Sequence, residues 1–326
     1  MLSRVAESLF WMSRYVERAE NVARLLDAGR RMMTVPTSAE ARSAEWSSIV
    51  IAAGCSETFP DPLETATQRS VAQHLVFDPE NPSSIRSSLH AARENARAVR
   101  QAITSDVWAA VNESWIDMRA RSPASIVGGG FAQFLDWTKT QGQRFRGGIE
   151  NTLLRDAGYN FIRLGQYVER LDATARLLDV KYHVLLPAHA QVGGVIDEGQ
   201  WLQILRAANS ARAYRHVYRA PVSPNRVVHF LVLSQLSPRS LRNSANMIVR
   251  HLDLLKAYTD RSEACHFKAY AMVARLDDMS VEDIFQFGLH EFLTERIQEN
   301  NLLAMAIADA YGFGGREPAP VRTQEA

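Results

Sequence analysis

Residues 2–33 read LSRVAESLFWMSRYVERAENVARLLDAGRRMM, and the fold follows from this stretch. Its apolar residues fall at Leu2, Val5, Leu9, Met12, Val16, Ala19, Ala23 and Leu26, the alternating spacing of a helix with one buried stripe. Trp11, Tyr15 and Val22 lie on another side, so neighbours are expected around more than one face. A helix over Leu2 to Met33 would be about 50 Å long at the α-helical rise. That length suits a bundle rather than a compact α/β domain.

The stretch returns later in the chain. Tyr15-Val16-Glu17-Arg18 recurs as Tyr167-Val168-Glu169-Arg170, an offset of 152, and Ala23-Arg24-Leu25-Leu26-Asp27 recurs as Ala175-Arg176-Leu177-Leu178-Asp179. Trp46-x-x-Ile49 with Ala52-Ala53 matches Trp201-x-x-Ile204 with Ala207-Ala208. Pro82-x-Ser84-Ile85-Arg86-x-Ser88 matches Pro238-x-Ser240-Leu241-Arg242-x-Ser244, an offset of 156. Matched blocks in one order imply two homologous halves, about 1–150 and 151–312, within a single domain 1–312. A pseudo-twofold axis between them is the expectation. The second long helix shows its stripe at Leu154, Ala157, Phe161, Leu164, Val168, Leu171, Ala175 and Leu178.

Pro36, the Pro60-Asp61-Pro62 turn, Pro79 and Pro82, Pro123 with Gly128-Gly129-Gly130, Pro187 with Gly193-Gly194, and Pro221 with Pro224 punctuate the helical stretches. No alternating strand pattern occurs, so the fold class is all-α, a multi-helix bundle built from two homologous halves. Ser83 or Ser84 caps a helix expected over Ile85 to Ile103, and Ser280-Val281-Glu282-Asp283 opens another. Residues 313–326, with Gly314, Gly315, Pro318 and Pro320, read as a disordered tail.

Thirty-seven basic residues against 36 acidic ones leave a net charge of +1, and no global field draws the chain to nucleic acid or an anionic membrane. The 46% hydrophobic content excludes wholesale disorder. Arg4, Glu7, Arg14 and Glu17 interrupt every apolar stretch at the N-terminus, and the Val227 to Leu233 run is too short to span a bilayer. The expectation is a cytoplasmic protein without a membrane segment. Cys55 and Cys265 stand apart, which suits a reducing compartment.

On a helical wheel Ser13, Glu17, Glu20, Asn21 and Arg24 share one face, predicted to be partly enclosed. Glu20 and Arg24 are four apart with the acid first, and Asp172 and Arg176 repeat the pair. Two readings stay open. The pairs are ion pairs that fix register between neighbouring helices, or Glu17 and Glu169 are acid–base groups of a polar site in which Arg18 and Arg170 bind an anion.

Tyr15-Val16-Glu17-Arg18-Ala19-Glu20-Asn21 and Ala92-Arg93-Glu94-Asn95-Ala96-Arg97 make the chain resemble the bacterial alpha-E family, named for its helices and its Glu-Arg motif. The resemblance runs from Met1 to about Tyr311 and includes Trp108 with Asn112, Ala213-Tyr214-Arg215, and Phe230-Leu231 followed by Pro238-Arg239-Ser240. It implies an all-helical bacterial protein, usually encoded beside a circularly permuted ATP-grasp ligase and often a transglutaminase-like protease. In some relatives the ligase and this domain form one chain. The implied setting is a system that makes, modifies or cleaves a peptide or amide. The Arg93, Glu94, Asn95 and Arg97 block has no equivalent in the second half, and Arg93 and Arg97 share a helix face that suits a carboxylate, a phosphate or a neighbouring glutamate.

Other chemistries lack their residues. A di-iron bundle needs two Glu-x-x-His helices, and only Glu263-x-x-His266 occurs; His290-Glu291 is an isolated pair, so no metal site is expected. Gly128-Gly129-Gly130 leads into Phe131 without the Lys or Ser/Thr of a phosphate loop, and no cofactor is implied. Cys55, expected on a helix, has no identifiable histidine partner. The family resemblance, together with these missing motifs, implies a non-catalytic helical accessory of an ATP-grasp ligase system, and leaves two alternatives: a cofactor-free enzyme on a peptide or amide, and a structural homo-oligomerisation bundle.

Overall fold

The three-and-four spacing that begins the chain winds into α1 (Ser3–Met32). The computed structural model describes residues 3–33, 39–126, 129–183, 194–259 and 263–315. In it α1 is followed by α2 (Ala39–Ala52), α3 (Gln68–Ala72), α4 (Ile85–Ala98), α5 (Ser105–Arg119) and α6 (Gly130–Thr152). The chain continues through α7 (Ala157–His183), α8 (Val195–Ala207), α9 (Ala211–Tyr218), α10 (Pro224–Val228) and α11 (Leu241–Thr259). It ends with α12 (Ala264–Asp278), α13 (Val281–Phe287) and α14 (Leu289–Ala310). Among the described residues there is no strand, and no helix is long and apolar enough to cross a membrane. Pro36, Gly128, Pro187, Gly193 and residues 316–326 lie outside the described residues.

Part of the element order recurs, with α9 and α13 as additional helices in the second half. A long helix, α1 or α7, precedes α2 or α8. A short helix, α3 or α10, then runs straight into a π-helical turn, Gln73–Phe77 or His229–Leu233. Asp78 N–H closes the first turn on the Gln73 carbonyl at 3.1 Å, and Ser234 N–H closes the second on His229 at 2.9 Å. A serine then caps the next helix. Ser84 Oγ accepts from Ser87 N–H at 3.1 Å before α4, and Ser240 Oγ accepts from Asn243 N–H at 3.0 Å before α11. The cap of α4 is thus Ser84 rather than Ser83. Ser280 and Asp283 close a capping box on α13.

α1 sits at the centre, packed on α7, α4 and α6. Its apolar stripe is buried, and so is the polar face expected to be only partly enclosed: Ser13, Arg14, Glu17, Glu20, Asn21, Arg24 and Asp27 are all buried. The contact with α7 is close at Gly165, where a Cβ would lie 2.2 Å from the carbonyl oxygen of Phe10.

Four boundaries differ from expectation. Leu154 precedes α7 and is 78% exposed, because Asp156 Oδ1 accepts from Tyr159 N–H and starts the helix only at Ala157. α4 ends at Ala98, and Thr104 caps a new helix, α5, soon after, with Val99 and Ile103 buried between them. Cys55 lies in the turn after α2 rather than on a helix. Phe313, placed in the expected tail, is 4% exposed and packs against the rings of Phe10 and Phe161 at 5.5 and 6.2 Å. Burying that ring ties Phe313–Gly315 to the core.

Candidate functional site

Adjacent residues on a helix point about 100° apart, and the Glu-Arg dipeptides of α1 and α7 reach reciprocally from one helix to the other. Arg170 forks onto Glu17, with Nε donating to Oε1 at 2.8 Å and Nη2 to Oε2 at 3.0 Å. Arg18 forks onto Glu169, with Nε donating to Oε1 at 2.6 Å and Nη2 to Oε2 at 3.1 Å. Bidentate guanidinium–carboxylate pairs fix orientation as well as distance. The two forks clamp the central helices together.

Further arginines close around the clamp. Arg14 Nε donates to Glu169 Oε2 at 2.8 Å. Arg146 of α6 donates to Glu17 Oε2 at 3.0 Å and to Glu20 Oε2 at 2.6 Å. Arg239, in the turn before α11, donates to Glu20 Oε1 at 2.6 Å and to Asn21 Oδ1 at 3.3 Å. Arg24 holds Glu20 through Nε at 3.0 Å and Nη2 at 2.6 Å, and its Nη1 donates to the Ala207 carbonyl at the end of α8 at 2.7 Å. Arg176 donates to Asp172 Oδ2 at 2.6 Å and to the Ala52 carbonyl at the end of α2 at 3.3 Å. Both arginines thus bring positive charge to the negative end of a helix.

Burial alone would push the Glu17 carboxyl up, but Arg170, Arg146 and Arg239 overturn that and hold it well below the ordinary 4.5. Glu169, against the same burial penalty, is held at about 2 by Arg18 and Arg14. Glu20 is opposed by burial and by Glu17, yet Arg239, Arg24 and Arg146 keep it low. Burial and the neighbouring Arg24 pull Arg239 down to about 9, which leaves it charged at neutrality. These carboxylates have no proton to give near neutral pH and are weak bases, whereas general acid–base work calls for a pKa near the operating pH.

A pH dependence follows. The unfolded carboxyls titrate near 4.5 and the folded ones below it, so beneath 4.5 the unfolded chain binds protons that the folded chain does not. The clamp's contribution is complete above that value and is lost as pH falls toward about 2, where Glu169 protonates. Glu169 alone accounts for a loss on the order of 3 kcal/mol. Urea midpoints measured at stepped pH should hold level down to about pH 5 and then fall.

Glu17, Arg18, Glu20, Arg24, Glu169 and Arg170 are therefore brought together, with Asp172 and Arg176 beside them. Arg93, Glu94, Asn95 and Arg97 bond on α4 and α5 instead. Arg93 donates to Asn112 Oδ1 at 2.9 Å and to Glu94 at 2.8 Å, Arg97 pairs with Glu94 at 3.5 Å, and Asn95 donates to the Ala91 carbonyl at 2.9 Å. Glu263 and His266 form the capping box of α12, in which His266 Nδ1 accepts from Glu263 N–H at 3.1 Å. Among the described residues no group of three or more His, Cys, Asp or Glu is placed to hold a metal ion. Burial pushes the Cys55 thiol up and the Cys265 thiol to about 12.

A family model described as a predicted alpha-helical domain with a conserved ER motif matches residues 1–311. The chain belongs to the Alpha-E family. In this member Glu17-Arg18 and Glu169-Arg170 are the forks of the clamp, while a third Glu-Arg dipeptide, Glu295-Arg296, lies in α14. The chain is 27% identical over 255 residues to proteins described as uncharacterized, Mb2597 of Mycobacterium bovis and Rv2567 of Mycobacterium tuberculosis. The match covers 73% of this chain and only 28% of each relative's own length. No solved structure matches the chain.

Arg14, Arg146 and Arg239 are the members of the clamp that the pattern of repeats did not single out. Arg146 lies outside every matched block. Arg239 had a signal: it is the unmatched residue of Pro238-x-Ser240, where the first half has Ser83.

Proposed function

We propose that this Alpha-E chain is a non-catalytic helical partner of an ATP-grasp-type ligase, in a cytoplasmic system that makes, modifies or cleaves a peptide or amide. The observation that carries the reading is the clamp. Glu17-Arg18 and Glu169-Arg170 are spent on locking α1 to α7, with the oxygens of Glu17 and Glu169 all facing guanidinium nitrogens. What remains for function is surface. Among the described residues, the exposed large apolar side chains other than Ile116 lie from Leu154 onward, and include Leu236, Tyr258, Phe267, Phe287 and Met305. That asymmetry suits docking through the second half. The mycobacterial relatives add support, since most of their length lies outside the match and leaves room for a catalytic part on the same chain.

The same reading treats residues 1–312 as one domain of two homologous halves about a pseudo-twofold axis. Its support is the part of the element order that recurs and the reciprocal forks, in which each half gives a glutamate and takes an arginine. A transglutaminase-like protease is a second candidate partner. A cofactor-free enzyme built on Glu17 or Glu169 gains no support from carboxylates held this far below neutrality.

The test is reconstitution. An ATP-grasp ligase from the same host should co-purify with the tagged chain in near-stoichiometric amount at moderate salt and should form its product faster when the chain is present. A ligase working at full rate without the chain would overturn the accessory role.

A further inference from the structure

The two ends of the clamp are not alike. On the Glu17 side, Glu20 is gripped by Arg24, Arg146 and Arg239 and is fully buried. On the Glu169 side its counterpart, Asp172, is ion-paired among the described residues with Arg176, with Arg18 nearby. The residue matching Arg239 there is Ser83, and α14, which packs on α7, presents Asn301. The space is left open as a cavity of about 170 Å³, lined by Arg18, Asn21, Ser83, Asp172, Arg176 and Asn301 among others. At about 30 Å³ per water it has room for five or six waters, or one small organic molecule.

Residues that line this space carry polar atoms left unsatisfied in a definite pattern. Asp172 Oδ1 is buried without a hydrogen-bond partner. Asn21 is 6% exposed; Arg239 donates to its Oδ1, which fixes the amide, and its Nδ2 is left buried and unpartnered. Arg18 bonds Glu169 through Nε and Nη2 and keeps Nη1 outside those bonds, and Arg176 likewise keeps Nη2. Around the clamp, three carboxylates, Glu17, Glu20 and Glu169, face six guanidiniums, Arg14, Arg18, Arg24, Arg146, Arg170 and Arg239. The surroundings are thus short of negative charge, while Asp172, paired with Arg176 through Oδ2, keeps Oδ1 without a donor.

We infer that this cavity is a binding site for a small zwitterion of the α-amino-acid class. Its ammonium sits on Asp172 Oδ1, in the role Arg239 plays on Glu20. Its carboxylate takes the free N–H groups of Arg18 and Arg176, with Asn21 Nδ2 as a neutral donor beside them. A phosphate would meet Asp172 as a like charge, and a simple cation would add to the positive excess. A zwitterion satisfies both ends without changing the net charge. The inference rests on the equivalence of the two halves.

The experiment titrates the full chain with the common L-α-amino acids one by one, and with propionate and ethylamine as single-charge controls, reading melting temperature and calorimetric heat. At least one amino acid should raise the melting temperature by several degrees with a saturable isotherm, and neither control should do so at the same concentration. Asp172→Asn should abolish that binding. Ser83→Arg, which supplies the guanidinium that the other half carries, should raise the melting temperature of the free protein and also abolish binding. A stabilising Ser83→Arg with no amino acid bound by the wild type would overturn the site while leaving the equivalence intact. A destabilising Ser83→Arg would remove the equivalence itself. Binding that survives Ser83→Arg, or propionate or ethylamine acting as well as the zwitterion, would also overturn the assignment.

Discussion

Glu17→Gln is expected to destabilise the chain by about 3–5 kcal/mol, read as a fall in the urea midpoint. The amide keeps the shape of the carboxylate but turns one acceptor into a donor that faces guanidinium N–H groups. Arg170 is buried and loses the fork at 2.8 and 3.0 Å, and Arg146 loses one of its two partners. An acid–base role for Glu17 predicts the opposite signature, lost turnover with a nearly unchanged melting temperature. Adding Arg170→Gln to Glu17→Gln should cost less than the two single changes together, with a coupling of about 0.5–3 kcal/mol, because the second change removes the charge that the first left unpaired. A single change costing under about 1 kcal/mol would contradict the clamp.

That size of loss does not make the clamp a large net source of stability. Ionised groups taken out of water cost much of what their attraction returns, and apolar replacements of both partners are often neutral. The contribution of these charges is to select one arrangement. A register shift of α1 against α7 by one residue would move each glutamate off the fork that reads it and leave buried charges unpaired. The apolar stripes alone tolerate such slippage better, since Val16, Ala19 and Ala23 offer similar surfaces to a neighbour.

The helices were readable from sequence because their period is local. Apolar residues at steps of three and four lie on one stripe whatever the neighbour, and Gly and Pro mark the breaks. The duplicated Glu-Arg dipeptide was equally visible. Its reciprocity was not, because which arginine reaches which glutamate depends on how two helices cross, and spacing along either one does not specify that. Arg146 carries no periodic or repeated signal and was one arginine among many. Leu154 continued the stripe of α7 by spacing, yet the cap supplied by Asp156 starts the helix after it. Phe313 lay among glycines and prolines that signal a tail, and its docking depends on a gap between Phe10 and Phe161 formed only in the folded chain. The cavity beside Asp172 was legible in one respect, the Ser83 and Arg239 mismatch inside an otherwise matched block.

Gly165→Ala is the change expected to separate the clamp without touching a charge. In most helix interiors this substitution stabilises by about 0.4–1 kcal/mol, because alanine restricts the unfolded chain. Here the added Cβ would lie 2.2 Å from the Phe10 carbonyl oxygen and 3.0 Å from its carbon, both backbone atoms that no rotamer change can move aside. α1 and α7 must part, and forks of 2.6 to 3.1 Å have little length to give. The sign therefore reverses, to a loss of at least about 1–3 kcal/mol from overpacking, with weakened forks adding to it. Gly147→Ala in α6 and Gly199→Ala in α8 are the controls, since a Cβ at either position meets no atom within 4 Å. Thermal melts of the three variants should move the controls up or leave them in place and move Gly165→Ala down. If Gly165→Ala stabilised as the controls do, the close crossing of α1 and α7 would be wrong, and with it the geometry that lets Glu17 meet Arg170.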